Sequence, residues 1–446
     1  MQRLDLPKGW YLADMPQIVK WGSGGTPKAG CAEYYNGSIP WIIIGDLNDG
    51  LVTVSEKNIT EDGLNASNAK FVEIGSVLLA MYGSIGKLGI AGVRLTTNQA
   101  IAFTQQLFGI TNRFLFYYLI LQKSKLMAMG KGGTQKNISQ TVINSLTVPL
   151  PPLAEQHRIV AKIDALFSKL DKGVEMLQII RQQLWTYRQA ELKWAFEGRL
   201  TGASFSGTRK LEELCFFITK GTTPKKMDMI PMEGEIPFIK VYNLTFNGTL
   251  DFSIDPTFVT QDTHNGFLSR SKVFPSDVLM NIVGLPMGKV SIVPDKYSEW
   301  NINQAIARFR CNDELNNRYL AHYLLCASTI NAISKKTKAT AGQFNLTLEI
   351  CRNIEIPICS IDEQLNIVES IESRLSVCDK LESIVDENLT KAAALRQSIL
   401  KKAFAGNLVP QDPNDEPAEK LLERIKAEQK HAAAKSKTGE GRKNGP

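Results

Sequence analysis

The amino-acid sequence predicts an α+β protein: two repeated mixed α/β domains separated by two long helices that form an antiparallel coiled coil, with an internal pseudo-two-fold repeat. Three observations lead there. First, NISQTVINSLTVPLPPLAEQHRIVAKIDALFSKLDK (137–172) aligns without a gap on NLTLEICRNIEIPICSIDEQLNIVESIESRLSVCDK (345–380) at an offset of 208, and the same offset sets RQAELKWAFEGRL (188–200) on RQSILKKAFAGNL (396–408). Second, the stretches ahead of the matched segments hold short β-branched or apolar runs between clusters of Gly, Asn and Asp, the pattern of strands and turns. Third, both matched segments carry apolar residues at heptad spacing. Self-similarity over so long an offset marks a duplicated domain.

In chain order, residues 38–47, 71–81 and 88–94 read as strands. RFLFYYLILQKSKLMAM (113–129) reads as a helix from its apolar spacing. After the stop Pro149-Leu150-Pro151-Pro152, Ile159, Ile163, Leu166, Leu170, Leu177, Ile180, Leu184 and Tyr187 recur four and three apart except at Gly173, a coiled-coil seam. The second copy answers with Ile367, Ile371, Cys378, Leu381, Val385, Ala392, Leu395 and Ile399, interrupted by Arg374 and Asn388. Upstream the repeat is looser but collinear: GGTPK (24–28) answers TTPKK (222–226), SIPWIIIGDL (38–47) answers EIPFIKVYNL (235–244), and TNQAIAF (97–103) answers INQAIAR (302–308). The expected boundaries are 1–152 and 206–358 for the domains, 153–205 and 359–410 for the helical regions, and 411–446 for a charged tail. Residues 417–431 can form one amphipathic helix, and 432–446 should be disordered and basic.

Two glycine-lysine stretches, GSIGKLGIAG (83–92) and GLPMGKVSIV (284–293), invite a nucleotide-binding reading. A Walker loop needs Gly-x-x-x-x-Gly-Lys followed by Ser or Thr, because the backbone amides cradle phosphate while the hydroxyl holds magnesium. Met81 and Leu88 break the pattern in the first, and Val290 follows the lysine in the second. Both read as one tight turn between strands, present in two copies. The seven cysteines contain no C-x-x-C pair and the four histidines are scattered, so no metal site is expected. An odd number of mostly apolar-flanked cysteines suits a reducing cytoplasm. No leader pattern opens the chain and no apolar run reaches spanning length, so a soluble cytoplasmic protein is expected. The net charge of +7 permits a polyanionic partner.

PLPPLAEQHRIVAKIDALFSKLD (149–171) closely resembles the central conserved region of the specificity subunits of Type I restriction-modification systems, and IDEQLNIVESIESRLSVCD (361–379) resembles their distal conserved region. The resemblance covers essentially the whole chain, although Cys359-Ser360 stand where the first copy has Pro151-Pro152, and Asp362 stands for Ala154. It implies that the divergent domains are target-recognition domains, each reading one half of a split, asymmetric sequence in double-stranded DNA. It also implies that the helices space those domains and dock two modification (methyltransferase) subunits, with two restriction (translocase and nuclease) subunits completing the complex. The chain itself then needs no cofactor; S-adenosylmethionine, ATP and Mg are expected in the partners. The residues agree, since no glycine-rich cofactor loop with an Asn/Asp-Pro-Pro-aromatic gate is present and no Ser/His/Asp constellation emerges. A helical scaffold that binds proteins without reading DNA, and a self-sufficient methyltransferase, are the other readings.

Base reading needs Asn/Gln or Arg/Lys, and phosphate contact needs Lys, Arg, hydroxyls or free amides. In the first domain the candidates are Thr26, Lys28, Ser84, Lys87, Asn98, Gln99, Lys131, Gln135 and Lys136. In the second they are Lys220, Thr222, Thr223, Lys225, Lys226, Lys289, Asn303, Gln304, Lys335, Lys336, Lys338 and Gln343. Asn98-Gln99 and Asn303-Gln304 recur in both copies, which points to a structural or phosphate-facing role; residues that differ should do the reading. Phe196 and Phe404, in the two AF-x-G segments, are expected to stay uncovered on the helices and to bind the modification subunits.

Overall fold

The computed structural model of the chain describes residues 6–132, 136–335 and 345–427. The chain divides into two compact units, residues 1–175 with 389–446, and residues 176–388.

In the first unit a five-stranded sheet runs Val19–Ser23, Ile101–Leu107, Val77–Ala80, Leu88–Ala91, Gly50–Val52, antiparallel except for the last pair. Every residue of Val77–Ala80 is buried, as its central place demands. A four-stranded sheet of Lys57–Ile59, Tyr35–Ile42, Leu95–Thr97 and Phe71–Val72 accompanies it. The run expected as one strand over 71–81 is two, because Gly75 adopts a φ of 87° in a turn between them. The expected helix is Asn112–Met129, and Thr111 caps it by accepting the Phe114 amide at 3.3 Å.

The second unit repeats the plan with an antiparallel sheet of Cys215–Lys220, Ile306–Cys311, Val278–Asn281 and Val290–Ile292, and a five-stranded sheet centred on Ile236–Ile239. Its counterpart of the long domain helix is broken at Cys326 into Asn317–Leu325 and Ala327–Lys335.

Two 44-residue helices, Leu153–Phe196 and Ile361–Phe404, pack together. Pairing runs antiparallel: Arg181 meets Asp386, Arg188 meets Asp379, and Arg374 meets Glu191, so one number falls as the other rises. Each helix begins against its own domain, and its last turns belong to the unit of the other. The same ion pair serves both units, since Arg396 meets Asp171 as Arg188 meets Asp379, each residue shifted by the repeat offset.

The seam is less regular than its spacing. Ile159, Ile163, Ile367, Ile371, Cys378, Val385 and Ile399 are buried, whereas Ile180, Tyr187, Leu381 and Leu395 are exposed. Toward the end of the first helix the buried stripe moves to Arg188, Glu191, Leu192 and Ala195. A straight helix drifts against a seven-residue repeat, and here the polar pairs fill the seam instead. The Arg374 interruption is one of these pairs, with Glu191 at 3.2 Å.

The expectation that Phe196 and Phe404 remain uncovered is corrected. Phe404 packs against Phe114 and Tyr118, with ring centroids 4.9 and 5.4 Å apart. Phe196 packs against Tyr319 and Tyr323 at 5.1 and 5.0 Å. Each ring therefore docks the end of one helix onto the domain that precedes the other helix, Phe404 buried and Phe196 half-buried.

Helix starts are tied down by a buried glutamine. Gln156 Oε1 accepts the Thr111 amide at 2.9 Å, and its Nε2 donates to the carbonyls of Gly109 and Pro151 at 2.8 and 3.1 Å. Gln364 does the same with the Asn316 amide and the carbonyls of Glu314 and Cys359, at 2.8, 3.0 and 3.1 Å. Both are fully buried. Of the described tail residues, 411–427, those from 418 on are helical, and Ala418, Leu421 and Leu422 are buried. Arg158 secures it through Asp415 at 2.6 Å.

Candidate nucleic-acid interface

One sheet of each unit, the five-stranded one in the first and the four-stranded antiparallel one in the second, collects the candidate loops at one end. In the first, Ser23 lies opposite Ala102, Ile101 opposite Ala80, and Leu79 opposite Leu88. The connections at those strand ends, 24–28, 81–87 and 97–100, are therefore neighbours. Residues 136–138 join them: the Gly83 amide donates to the Lys136 carbonyl at 3.1 Å, and the Ile138 amide to that of Met81 at 2.9 Å. In the second unit Lys220 lies opposite Ala307, Asn281 opposite Ile306, and Met280 opposite Val290. The Leu346 amide donates to the Ile282 carbonyl at 2.8 Å and returns the chain to the same end.

One coupling is common to both copies. The Thr26 hydroxyl donates to the Gln99 side chain, and the Thr223 hydroxyl to that of Gln304. The Gly25 amide donates to the Thr97 carbonyl at 2.9 Å, as that of Thr222 does to Ile302 at 3.2 Å. A Cβ on Gly24 would run into the Thr97 and Asn98 carbonyl oxygens, and one on Gly221 into those of Ile302 and Asn303, which is why glycine stands at both. These bonds equate Thr26 with Thr223 and Lys28 with Lys225. The match of GGTPK to TTPKK is thus corrected by one residue.

Asn98 Oδ1 accepts the Ala100 amide at 3.1 Å and Asn303 Oδ1 the Ala305 amide at 3.2 Å, so these side chains close a turn. Gln99 and Gln304 are exposed beside them, as are Thr26, Lys28, Ser84, Lys131, Lys136, Lys220, Thr223, Lys225, Lys226 and Lys335, while Thr222 is half-buried. Lys87 and Lys289 follow hairpin turns and are half-buried. Lys87 Nζ donates to the Ile44 carbonyl at 3.5 Å, and Lys289 Nζ lies 5.9 Å from the Phe246 ring. Gln135, Lys336, Lys338 and Gln343 lie outside the described residues. Among the described residues no carboxylate pairs with Lys28, Lys131, Lys136, Lys220, Lys225 or Lys226, so their charge is available to an anion. No group of three His, Cys, Asp or Glu side chains among them could hold a metal ion.

Sequence reasoning missed Gln156 and Gln364, although Glu-Gln stands in both copies. It also missed the exposed aromatics of the first long helix, Trp185, Tyr187 and Trp194, 49, 45 and 44% exposed, of which the last two, seven residues apart, share a face. The heptad assignment had enlisted Tyr187 in the seam.

Fold and site together define a class: a duplicated protein whose two domains each present a lysine- and amide-bearing loop cluster, coupled by paired helices. Residues 7–177 and 206–390 match the family described as the Type I restriction modification DNA specificity domain, and the chain belongs to that family. It is 28% identical to the Type I restriction enzyme EcoBI specificity subunit of Escherichia coli, over 72% of this chain and 73% of that one. It is 25% identical to the EcoKI specificity subunit of Escherichia coli K12, over 96% and 97%. The putative MjaX specificity subunit of Methanocaldococcus jannaschii shares 31% over 91% and 95%. A solved structure from a study of complex assembly and conformational transition in the type I R-M system shares the fold, with a TM-score of 0.66 and 19% identity over 90% of this chain and 99% of that one.

Proposed function

We propose that this chain is the non-catalytic subunit that gives a Type I restriction-modification complex its DNA target, each domain contacting one half of a two-part duplex sequence through its loop cluster. The observation that carries the reading is the convergence of equivalent loops on one sheet end in both units, with unpaired lysines beside the Thr-Gln coupling. Lys28 and Lys225 contact phosphate. Candidates that differ between the copies, such as Ser84, Lys131 and Lys136 in the first domain and Lys226 and Lys335 in the second, approach the bases.

The partners are two modification and two restriction subunits, which bring S-adenosylmethionine, ATP and Mg. Exposed aromatics on the first long helix, Tyr187 and Trp194 on one face of it, form the surface that a modification subunit covers, because large aromatics in water are what an interface buries. No described helix is long and apolar enough to cross a membrane, and the duplex substrate places the work in the cytoplasm.

Methylome sequencing of cells that express the chain with its modification subunit tests this. A two-part N6-methyladenine motif is expected. Duplex binding that does not weaken with salt would favour the protein-scaffold reading, and methylation by the purified chain alone would favour the self-sufficient enzyme.

A further inference from the structure

We propose that Asp255, in a side pocket of the second domain, selects one base of that domain's half-site by accepting a hydrogen bond from an exocyclic amino group; the inference rests on the DNA-reading function above. Each domain has a pocket against its Thr-Pro-Lys loop. The first, 410 Å³, is lined by Tyr35, Trp41, Lys57 and Asn58, and the second, 390 Å³, by Thr223, Lys226, Phe238, Lys240, Asp255 and Asn303. The aromatic wall repeats, since Trp41 and Phe238 each follow a proline in equivalent strands. The polar groups differ in one respect: both pockets offer ammonium and amide groups, and the second adds the Asp255 carboxylate, which has no counterpart lining the first.

A carboxylate beside phosphate-binding lysines weakens the hold on a polyanion unless the ligand brings it a donor. Phosphates and deoxyribose within a duplex carry none. The donors that duplex DNA exposes are the exocyclic amines of cytosine, adenine and guanine, so an acceptor fixed here is informative about sequence.

Asp255 is fixed. The Tyr242 hydroxyl donates to Oδ2 at 2.6 Å, and Lys240 Nζ stands 3.7 Å from the same oxygen. These two groups also hold the carboxyl below its ordinary range, the Tyr242 bond foremost. The supporting loop is pinned from beneath: buried Asn243 donates to the carbonyls of Asp251 and Ile254 at 3.1 and 2.8 Å, and Phe252 packs on Phe258 and Trp300. Asp255 adopts a φ of 45°, a backbone state that persists where its surroundings hold it. With 63% of its side chain exposed, the carboxylate can still meet a ligand. A preorganised acceptor on a rigid loop is what a base-reading contact requires.

The test measures the purified full chain against duplexes that carry the wild-type motif with each base changed in turn, alongside methylome sequencing of cells co-expressing the modification subunit. Asp255→Ala is expected to flatten discrimination at one position of one half-site, by on the order of ten- to a hundredfold. Tyr242→Phe, which frees the carboxylate without removing it, should relax the same position less. Unchanged discrimination at every position, or relaxation in both half-sites, would overturn the assignment. The function reading fails separately, if the wild-type complex yields no two-part motif.

Discussion

Set side by side, the two domains agree in one part and diverge in another. Gln156 and Gln364 make the same three bonds, Thr26 and Thr223 the same coupling to a glutamine, and Phe404 and Phe196 the same contacts with paired aromatic rings. Beside that shared frame, the first side pocket presents Lys57 and Asn58, the second Lys240 and Asp255. The frame is the same in both copies, and the pocket groups proposed to meet the bases are not. A domain built this way can alter its target without altering its fold.

Exchanging residues 1–150 for those of another family member tests the comparison most severely. One half of the methylated motif should be replaced whole and the other kept, as methylome sequencing would read. A chimera that alters both halves would show that the units do not read independently.

Next in size are the glutamines. Removing either side chain strands one buried amide and two carbonyls, at a cost of about 2–4 kcal/mol. Gln156→Ala and Gln364→Ala should cost similar amounts in denaturant unfolding, because the bonds match one for one. A large inequality would mean that the shared frame supports the two units differently.

Smaller still are the equivalent lysines. Lys28→Ala or Lys225→Ala should weaken duplex binding by a few-fold, alike for all sequences, and reduce the slope of log affinity against log salt by about one. If either substitution changed the motif rather than the affinity, that lysine would belong with the reading groups.

The division also explains what was legible in the sequence. The repeat, both long helices and the loop ends could be read, because each depends on spacing or on turn residues within a short window. Phe404 could not be placed, because its partners Phe114 and Tyr118 lie far up the chain and the heptad rule sees one helix at a time. The Thr-Pro-Lys register differs by one residue from the match of letters, because the hydrogen bond from threonine to glutamine, and not residue identity, sets it. Seam positions such as Leu381 and Tyr187 turned outward because Arg188 and Glu191 pair across the helices, and apolar spacing carries no sign of an ion pair.

The smallest expected effect separates the units by pH. In the first, burial pushes the Glu155 carboxyl up from its ordinary value, although Trp10 Nε1 donates to it at 3.0 Å. In the second, the bond from His264 at 2.9 Å, with Lys272 at 3.7 Å, draws the Glu299 carboxyl down. A depressed carboxylate contributes stability above its unfolded value and loses it as pH falls through the folded one. A raised carboxylate does the opposite: it costs stability while ionised, and the cost is relieved as pH falls through its folded value toward the unfolded one. Glu155→Gln should therefore raise the melting temperature at pH 7, and Glu299→Gln should lower it. The second change is about 1–2 °C, because Glu299 is partly exposed and its pairing is screened. The Glu155→Gln gain should fade toward pH 4, where the wild-type carboxyl is largely protonated in both states, whereas the Glu299→Gln deficit should only begin to shrink there, because a depressed carboxyl stays ionised below the ordinary range. Melting curves of the two variants at pH 7 and pH 4 decide it: differences of the same sign at pH 7, or a Glu155→Gln gain that persists undiminished at pH 4, would show that packing rather than ionisation distinguishes these carboxyl groups.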